Sequence, residues 1–349
     1  MSDASMTSTG QAEPVPEHRR TAPRIPLNTL AIAFGLAGLA AVWTTAGRLL
    51  GAPQAIAQSL WVIAAVGWLW LIVAHLRRGA KSSETLAAQL RHPAQGPIAA
   101  LVPVVGMLLG ADLHRFVPVA GAILVLVSMV TAAGFAAWIL AFWHSGNLAP
   151  EAFHGGYLLP TVGAGFIAAT TSYTVGLPGV AIAAFAVGAF FWIVVSTVLL
   201  ARLAFFPPLP DALTPTCAIL LAPPAVAGTA WFTINGEHAD PVSIALLGLL
   251  VLMALQQLAL LPRYRKLSFT LGFWSFTFPL AAAASYGVDW LALAAFPGWS
   301  ILAWLLVALA TVVIVAIGVR SLWLVSSVRR GARRAEIVLR RADDLVERR

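Results

Sequence analysis

The segment from Leu271 to Pro279 reads Leu-Gly-Phe-Trp-Ser-Phe-Thr-Phe-Pro and places three phenylalanines before a proline inside an apolar run. Phe276 and Phe278 are two residues apart, so on an α-helix their side chains point about 200° apart. If one ring packs against neighbouring helices, the other ring therefore faces a central path through the protein. A bulky ring in a narrow pore can close it by steric block and by excluding water. The segment is a candidate gate, with ordinary packing or lipid-facing rings as the alternative.

Side chains that could carry bond-making chemistry do not occur in the middle of the apolar runs. All 14 acidic residues and all seven histidines fall in tails, in loops or at the ends of predicted spans, including His75, His92, His144 and His154. Proton-coupled carriers and voltage sensors usually place ionisable groups within the membrane. The single cysteine, Cys217, allows neither a disulfide framework nor a cysteine metal cluster. The sequence thus predicts a protein that is not an enzyme and has no metal or cofactor.

The elements that position these residues are long apolar segments. Of the 349 residues, 60% are hydrophobic and only 10% are charged, whereas soluble domains have about 25% charged residues. Apolar runs of about 17 to 25 residues are long enough to cross a bilayer. We predict an all-α integral membrane protein with ten spans: roughly 26–47, 55–76, 97–113, 118–143, 157–175, 179–203, 212–234, 242–261, 267–287 and 299–323.

Polar tails flank this predicted transmembrane channel domain, which covers residues 25–323. Residues 1–24 are rich in Ser, Thr, Pro and Glu and lack the apolar region of a cleavable signal peptide, so we expect a disordered cytoplasmic tail. Residues 324–349 are rich in arginine, with apolar residues at helical spacing. We expect a basic cytoplasmic helix there, either solvated, lying on the anionic inner leaflet or packed against neighbours in an oligomer.

The distribution of Lys and Arg predicts the orientation. With the N-terminus in the cytoplasm, 20 of the 22 basic residues fall on the cytoplasmic side, and only Arg48 and Arg115 lie outside. This follows the positive-inside rule for an even number of spans. The net charge of +8 is therefore a topology signal and not a nucleic-acid patch. We expect a multi-pass protein of the bacterial inner membrane with both termini in the cytoplasm.

Proline positions divide the predicted spans into two classes. Even-numbered spans have proline only near their starts, where its missing N–H costs no helical hydrogen bond. Proline within a span frees a carbonyl and kinks the helix, which lipid tolerates only where protein or a water-filled cavity receives the backbone. We therefore predict five helical hairpins around a central pore, with an inner ring of odd-numbered helices. The candidate kink or pore-lining prolines are Pro26, Pro103, Pro160, Pro223, Pro224 and Pro279.

A permeating solute would then meet backbone groups, aromatic rings and hydroxyl groups such as those of Thr161 and Thr277. A pore without fixed negative charge does not favour cations. Broken helices can turn their positive N-terminal ends toward an anion, and basic residues at the cytoplasmic mouth raise the local anion concentration. These features favour small anions.

The sequence resembles the tellurite-resistance/dicarboxylate transporter family. That family includes bacterial tellurite-resistance proteins, fungal malate permeases and sulfite exporters, and the slow-type anion channels of plant guard cells. The resemblance covers roughly residues 25–320. Its most telling stretches, in chain order, are His92 with Ala100-Leu101-Val102-Pro103, then Tyr157-Leu158-Leu159-Pro160, then Ala218 to Ala225, and Trp274-Ser275-Phe276-Thr277-Phe278.

The resemblance implies five hairpins in quasi-fivefold array and a homotrimer in which each protomer has its own pore. It assigns the gate to the second phenylalanine of the Trp-x-Phe-x-Phe pattern, Phe278, and packing to Phe276. The bacterial branch can have glycine after that phenylalanine, where this chain has Pro279. That branch can also have a small residue two positions before the first span's proline. Arg24 stands there and implies a fixed positive charge near the cytoplasmic mouth.

The leading hypothesis is an anion channel or facilitator that passes small anions down their gradient, with Phe278 as the gate. The alternative is a carrier for C4-dicarboxylates such as malate, or an exporter of sulfite or tellurite. A dicarboxylate carrier should hold cationic or donor clusters near the middle of the membrane, and the sequence offers none. The sequence is also compatible with a further hypothesis, a structural or signalling membrane protein whose pore stays closed.

Overall fold

Long apolar helices make up most of the fold. A computed structural model describes residues 23–146 and 148–347, with side chains as far as Ser327; most of the predicted N-terminal tail lies outside these residues. No β-strand occurs in the described ranges. The α-helices are α1 Leu30–Leu50, α2 Gln54–Gly79, α3 Leu86–Arg91, α4 Leu101–His114, α5 Pro118–His144, α6 Ala164–Thr174, α7 Pro178–Phe205, α8 Ala222–Asn235, α9 Pro241–Tyr264, α10 Thr277–Ala294 and α11 Trp299–Glu347.

Eight helical segments in the described part of the chain are long and apolar enough to cross a membrane. They contain α1, α2, α4, α5, α7, α8, α9 and α11. The helices α6, with 11 residues, and α10, with 18 residues, belong to the predicted fifth and ninth spans and are not among these eight segments. The prediction of an all-helical multi-pass membrane protein is thus confirmed.

The spanning helices fall into two classes by burial. In the segments that contain α1, α4 and α8, 56% to 72% of the most apolar stretch is buried inside the protein. In those of α2, α5, α7, α9 and α11, the buried share is only 11% to 28%. The well-buried helices are odd-numbered spans in the sequence prediction, and the exposed ones are the even-numbered spans.

Helix contacts join the buried helices into a closed ring. Each of α1, α4, α6 and α8 contacts the next in this order, α8 contacts α10, and α10 returns to α1. Each of the five also packs against the long helix that follows it: α2, α5, α7, α9 or α11. Proline occupies the first position of α5, α7 and α9, where it costs no helical hydrogen bond.

Short 3-10 segments precede each ring helix and form what we call the collar. It consists of Leu27–Thr29, Gly96–Ala100, Gly155–Leu158, Thr214–Leu221 and Leu271–Phe276. These segments contact one another in chain order, and the last contacts the first. A π segment, Leu159–Gly163, joins the third to α6. Because all five segments precede a helix, the N-terminal ends of the ring helices meet at one end of the ring.

Two features of the chain differ from the predicted boundaries. The ninth span was predicted to end near residue 287, yet α10 continues to Ala294 and includes Asp289, whose carboxylate is paired with Arg48. An ion pair lets a helix hold a charge that the sequence alone places in a loop. The helix α3 was not predicted; Thr85 caps it by accepting a hydrogen bond from the Ala88 amide.

Candidate functional site: the central cavity

The ring helices and the collar enclose a small cavity of about 60 Å³, here called the central cavity. A space of this size holds a few water molecules. The helices α4 and α6 each contribute one side chain to its wall, and α1, α8 and α10 each contribute two or three. The lining residues are Asn28, Ala31, Phe34, Ile98, Leu101, Gly156, Leu158, Leu159, Gly163, Phe166, Thr216, Ile219, Ala222, Pro223, Val226, Leu271, Gly272, Trp274, Ser275, Phe278 and Pro279.

The lining has no charged side chain among the described residues. Its polar side chains are those of Asn28, Thr216, Trp274 and Ser275. The Thr216 hydroxyl donates to the carbonyl of Leu213 at 2.6 Å, whereas the buried Asn28 Oδ1 has no hydrogen-bond partner in the protein. Such a wall offers a solute weak polar contacts and no fixed charge.

Two stacked aromatic rings occupy the cavity wall. The rings of Phe34 on α1 and Phe278 on α10 have centroids 3.6 Å apart and an angle of 14° between their planes. Both side chains are buried, with 7% of each residue exposed. The sequence analysis singled out Phe278 and missed Phe34, which stands in an apolar run with no distinguishing motif.

Two glycines on α1 allow α10 to approach closely enough for this stacking. A Cβ on Gly35 would collide with the side chain of Thr277, and one on Gly38 would lie 3.0 Å from the Phe278 ring. Thr277 donates its hydroxyl hydrogen to the carbonyl of Trp274 at 2.7 Å. The Trp274 indole in turn donates to the Ser321 hydroxyl of α11 at 2.9 Å. Phe278 is thus held at a tightly packed helix start.

The neighbouring ring of Phe276 lies elsewhere. It packs edge-on against Tyr264, with centroids 4.8 Å apart, and also contacts Phe273. It does not line the central cavity. The two phenylalanines of the pattern therefore have different surroundings in the structure.

The other predicted site residues are distributed over several places. Pro223 and Pro279 line the central cavity, whereas Arg24 and Pro103 line a separate cavity between α1, α2, α4 and α5. Pro160 lies buried in the π segment, and Pro224 in the first turn of α8. Pro26 directly precedes the collar. The Thr161 and Thr277 hydroxyls are buried, and that of Thr161 has no partner in the protein.

A charged cluster lies at the opposite end of the ring from the collar. Arg48, in the last turn of α1, contacts Glu237 after α8 and Asp289 on α10, each at 2.6 Å. The Asp289 side chain is 8% exposed, whereas those of Arg48 and Glu237 are about half exposed. The cluster therefore connects three parts of the ring beyond the central cavity.

A buried histidine supports the collar. His154, in the connection between α5 and α6, is fully buried, and its Nδ1 accepts a hydrogen bond from the Gly156 amide at 3.1 Å. Burial lowers the pKa of His154 to about 4. The ring is neutral near pH 7 and acts as a helix cap. The sequence analysis placed this residue at a span end without assigning it a role.

Comparison with known proteins identifies the family. A family model described as SLAC1, voltage-dependent anion channel, matches residues 24–322. The chain belongs to the SLAC1 family. This match confirms the family that the sequence motifs predicted. The SLAC1 family consists of channels and transporters and not of enzymes.

This SLAC1-family chain is similar in sequence to three known relatives. It is 26% identical over 262 residues to the tellurite resistance protein TehA homolog of Haemophilus influenzae, with 75% of this chain and 80% of that protein covered. It is 25% identical to the S-type anion channel SLAH2 and 24% identical to SLAH3, both of Arabidopsis thaliana, over 75% and 84% of this chain. The chain spans about half the length of these plant channels, 52% and 47%.

Proposed function

We propose that this SLAC1-family protein is an anion channel or facilitator whose ten helices surround one path per protomer, with Phe278 as its gate. The stacking of Phe278 on Phe34 beside an uncharged cavity is the observation that carries the proposal. A stacked pair removes the space through which a hydrated ion would pass. Movement of either ring away from the other would widen the path at this point.

Charge distribution around the cavity supports small anions as the permeating species. No acidic side chain lines the described cavity, so no fixed negative charge there favours cations. The N-terminal ends of the ring helices meet at the collar, and each end has a partial positive charge. Selectivity would follow the cost of removing water from each anion, because no strongly binding side chain replaces that water.

The proposed setting is the bacterial inner membrane. The positive-inside rule puts both termini in the cytoplasm, and the collar then forms the cytoplasmic end of the path. Anions arriving from the cytoplasm would meet the positive helix ends before the phenylalanine pair. A homotrimer with one path per protomer completes the proposal and follows from the family resemblance.

The alternative is a carrier for malate or an exporter of sulfite or tellurite. One relative is named for tellurite resistance, which keeps an exporter as a defined competitor. A dicarboxylate needs two donor clusters to replace the water around its carboxylates, and the described lining of the central cavity contains no cationic side chain. The lining of the central cavity is therefore better suited to a channel for small anions than to a dicarboxylate carrier.

Planar-bilayer currents from the purified protein test the proposal. Wild type, Phe278→Ala and Phe276→Ala are compared in chloride, nitrate and malate in turn. We expect Phe278→Ala to raise the chloride and nitrate currents well above wild type. Phe276→Ala is the matched control, since it removes the same ring from a position outside the cavity, and it should leave the current near the wild-type level.

Two results would contradict the proposal. Equal currents for all three proteins would show that the Phe278 ring does not block the path. Measurable malate, sulfite or tellurite transport in vesicles, without current from either variant, would instead establish the carrier or exporter.

A further inference from the structure

A second, larger cavity lies between the first two helical hairpins; we call it the lateral cavity. Its volume is about 570 Å³, within the range of about 300 to 1,000 Å³ that ligand sites usually have. None of its lining residues lines the central cavity. They are Arg24, Leu27, Leu30, Ile72, His75, Leu76, Gly79, Ala80, Leu86, Gln89, Leu90, Ala99, Val102, Pro103, Thr131 and Phe135.

The lateral cavity is polar at one end and apolar along the rest of its length. Arg24, His75 and Gln89 belong to the polar end, near the end of α2, whereas leucine, isoleucine, valine and phenylalanine side chains form most of the remaining wall. A ligand that fits must be amphiphilic. Its polar part would lie near Arg24, and its apolar part would run toward Thr131.

The polar end has both hydrogen-bond donors and a hydrogen-bond acceptor that are available to a ligand. Arg24 donates its Nε hydrogen to the Glu84 carbonyl at 2.7 Å, and no carboxylate of the described residues pairs with its guanidinium. Gln89 is 3% exposed and donates to the Ile25 carbonyl at 2.7 Å, while its buried Oε1 has no partner. The site therefore offers donors to an anion and an acceptor to a hydroxyl group.

The cavity opens toward the lipid. Leu76 and Leu86 at its edge are 66% and 50% exposed, and Thr131 lies on the exposed side of α5. Apolar side chains on the outer faces of α2 and α5, including Val73 and Val127, are also exposed. The opening is thus continuous with surface that faces acyl chains, so a lipid can enter from the side.

The length of the cavity matches one leaflet. From Ile72 in α2 to Ala80, the residue that directly follows this helix, the chain rises about 12 Å at 1.5 Å per residue. Half of the hydrocarbon core of a bilayer is about 15 Å thick. The polar end lies beside Arg77 and Arg78, which the positive-inside rule puts at the cytoplasmic surface.

We propose that the lateral cavity binds an anionic phospholipid of the inner leaflet whose headgroup bears hydroxyl groups, as that of phosphatidylglycerol does. Arg24 donates hydrogen bonds to the phosphate, Gln89 Oε1 accepts one from a headgroup hydroxyl, and one acyl chain lies between α2 and α5. The proposal does not depend on the gate, because the two cavities share no lining residue.

Native mass spectrometry of the full chain in detergent tests this proposal. The protein is titrated with phosphatidylglycerol and with phosphatidylcholine of the same acyl chains. We expect wild type to retain phosphatidylglycerol on the order of tenfold more tightly, the change in affinity that 1.4 kcal/mol represents. Arg24→Gln should remove most of this preference. Arg77→Gln is the matched control, since it removes a charge at the same end of α2 from a residue outside the cavity.

A second pair of variants tests the acyl chain. Thr131→Trp places a bulky ring in the cavity, and its control, Thr197→Trp, places the same ring on the exposed side of α7. Both threonines donate only to a carbonyl one helical turn earlier, so each substitution loses a similar bond. We expect only Thr131→Trp to weaken phosphatidylglycerol binding.

Three results would overturn the proposal. Equal retention of the two lipids by wild type would remove the role of the headgroup. Equal losses in Arg24→Gln and Arg77→Gln would indicate diffuse attraction by the basic surface. Equal behaviour of the two tryptophan variants would show that the acyl chain does not occupy the lateral cavity.

Discussion

The Phe278 ring on α10 stacks on the Phe34 ring on α1, with centroids 3.6 Å apart. The proposed gate is therefore a pair of rings from the first and the ninth predicted spans, which α10 brings together by closing the ring of helices. Because each ring is in contact with the other, each should contribute to the closed state.

Phe34→Ala should raise anion current in the same direction as Phe278→Ala. An aromatic pair contributes about 0.5 to 1.5 kcal/mol beyond its buried area, which corresponds to a shift of about two- to tenfold in the ratio of open to closed states. Bilayer currents of the single and double variants measure the effect. The double variant should show less than the product of the two single effects, since both remove the same contact. A Phe34→Ala current equal to wild type would contradict the shared gate.

Gly35→Ala should destabilise the protein by about 1 to 3 kcal/mol, the usual cost of overpacking. The added Cβ would collide with the Thr277 side chain and push α10 away from α1. Unfolding in detergent, followed by circular dichroism, measures the change. The matched control is Gly134→Ala in α5, where a Cβ meets no other atom within 4 Å and helix propensity alone favours alanine by about 1 kcal/mol. Equal stabilities of the two variants would show that α1 and α10 are not tightly packed here.

Arg48→Met should destabilise the protein because it leaves the buried Asp289 carboxylate without its partner. Removing one member of a fully buried pair costs about 3 to 5 kcal/mol; we expect about 2 to 3 kcal/mol, since Arg48 is about half exposed. The control variant is Glu237→Gln, which removes the charge of the other carboxylate that contacts Arg48. Exposed pairs contribute at most about 1 kcal/mol, and Glu237 is 53% exposed. Thermal unfolding in detergent compares the two, and similar losses would contradict a buried role for Asp289.

Acidification should destabilise the protein through His154. Burial lowers its pKa from 6.5 to about 4 in the folded protein, so between these pH values the unfolded chain binds a proton that the folded chain does not. The stabilisation is present above pH 6.5 and is lost as the pH falls toward 4, by about 3 kcal/mol in all.

Thermal unfolding at pH 7 and pH 5 measures this loss. His154→Asn should reduce the difference between the two pH values, because asparagine can still cap the Gly156 amide and does not titrate. His144→Asn, at an exposed position at the end of α5, should leave the difference unchanged. A wild-type difference that survives in His154→Asn would assign the acid sensitivity to another group.

The sequence by itself determined the class of the protein and its family. Apolar runs of spanning length specify helices because, within a bilayer, a single segment satisfies its own backbone hydrogen bonds only as a helix. Proline within a run marks helices that need protein or water around them, and α4 and α8, which contain Pro103 and Pro223, are well-buried spans. The Trp-x-Phe-x-Phe pattern pointed to Phe278, which lines the central cavity.

Only the tertiary structure decided which distant residues meet. Phe34 has no local signal, because its partner is on α10. Asp289 was assigned to a loop, because its tolerance within α10 depends on Arg48. Arg24 lines the lateral cavity together with residues of α2 and α3, which the sequence did not predict. Hydropathy and motifs act over one or a few helical turns, whereas these contacts depend on how five hairpins pack, which no single segment encodes.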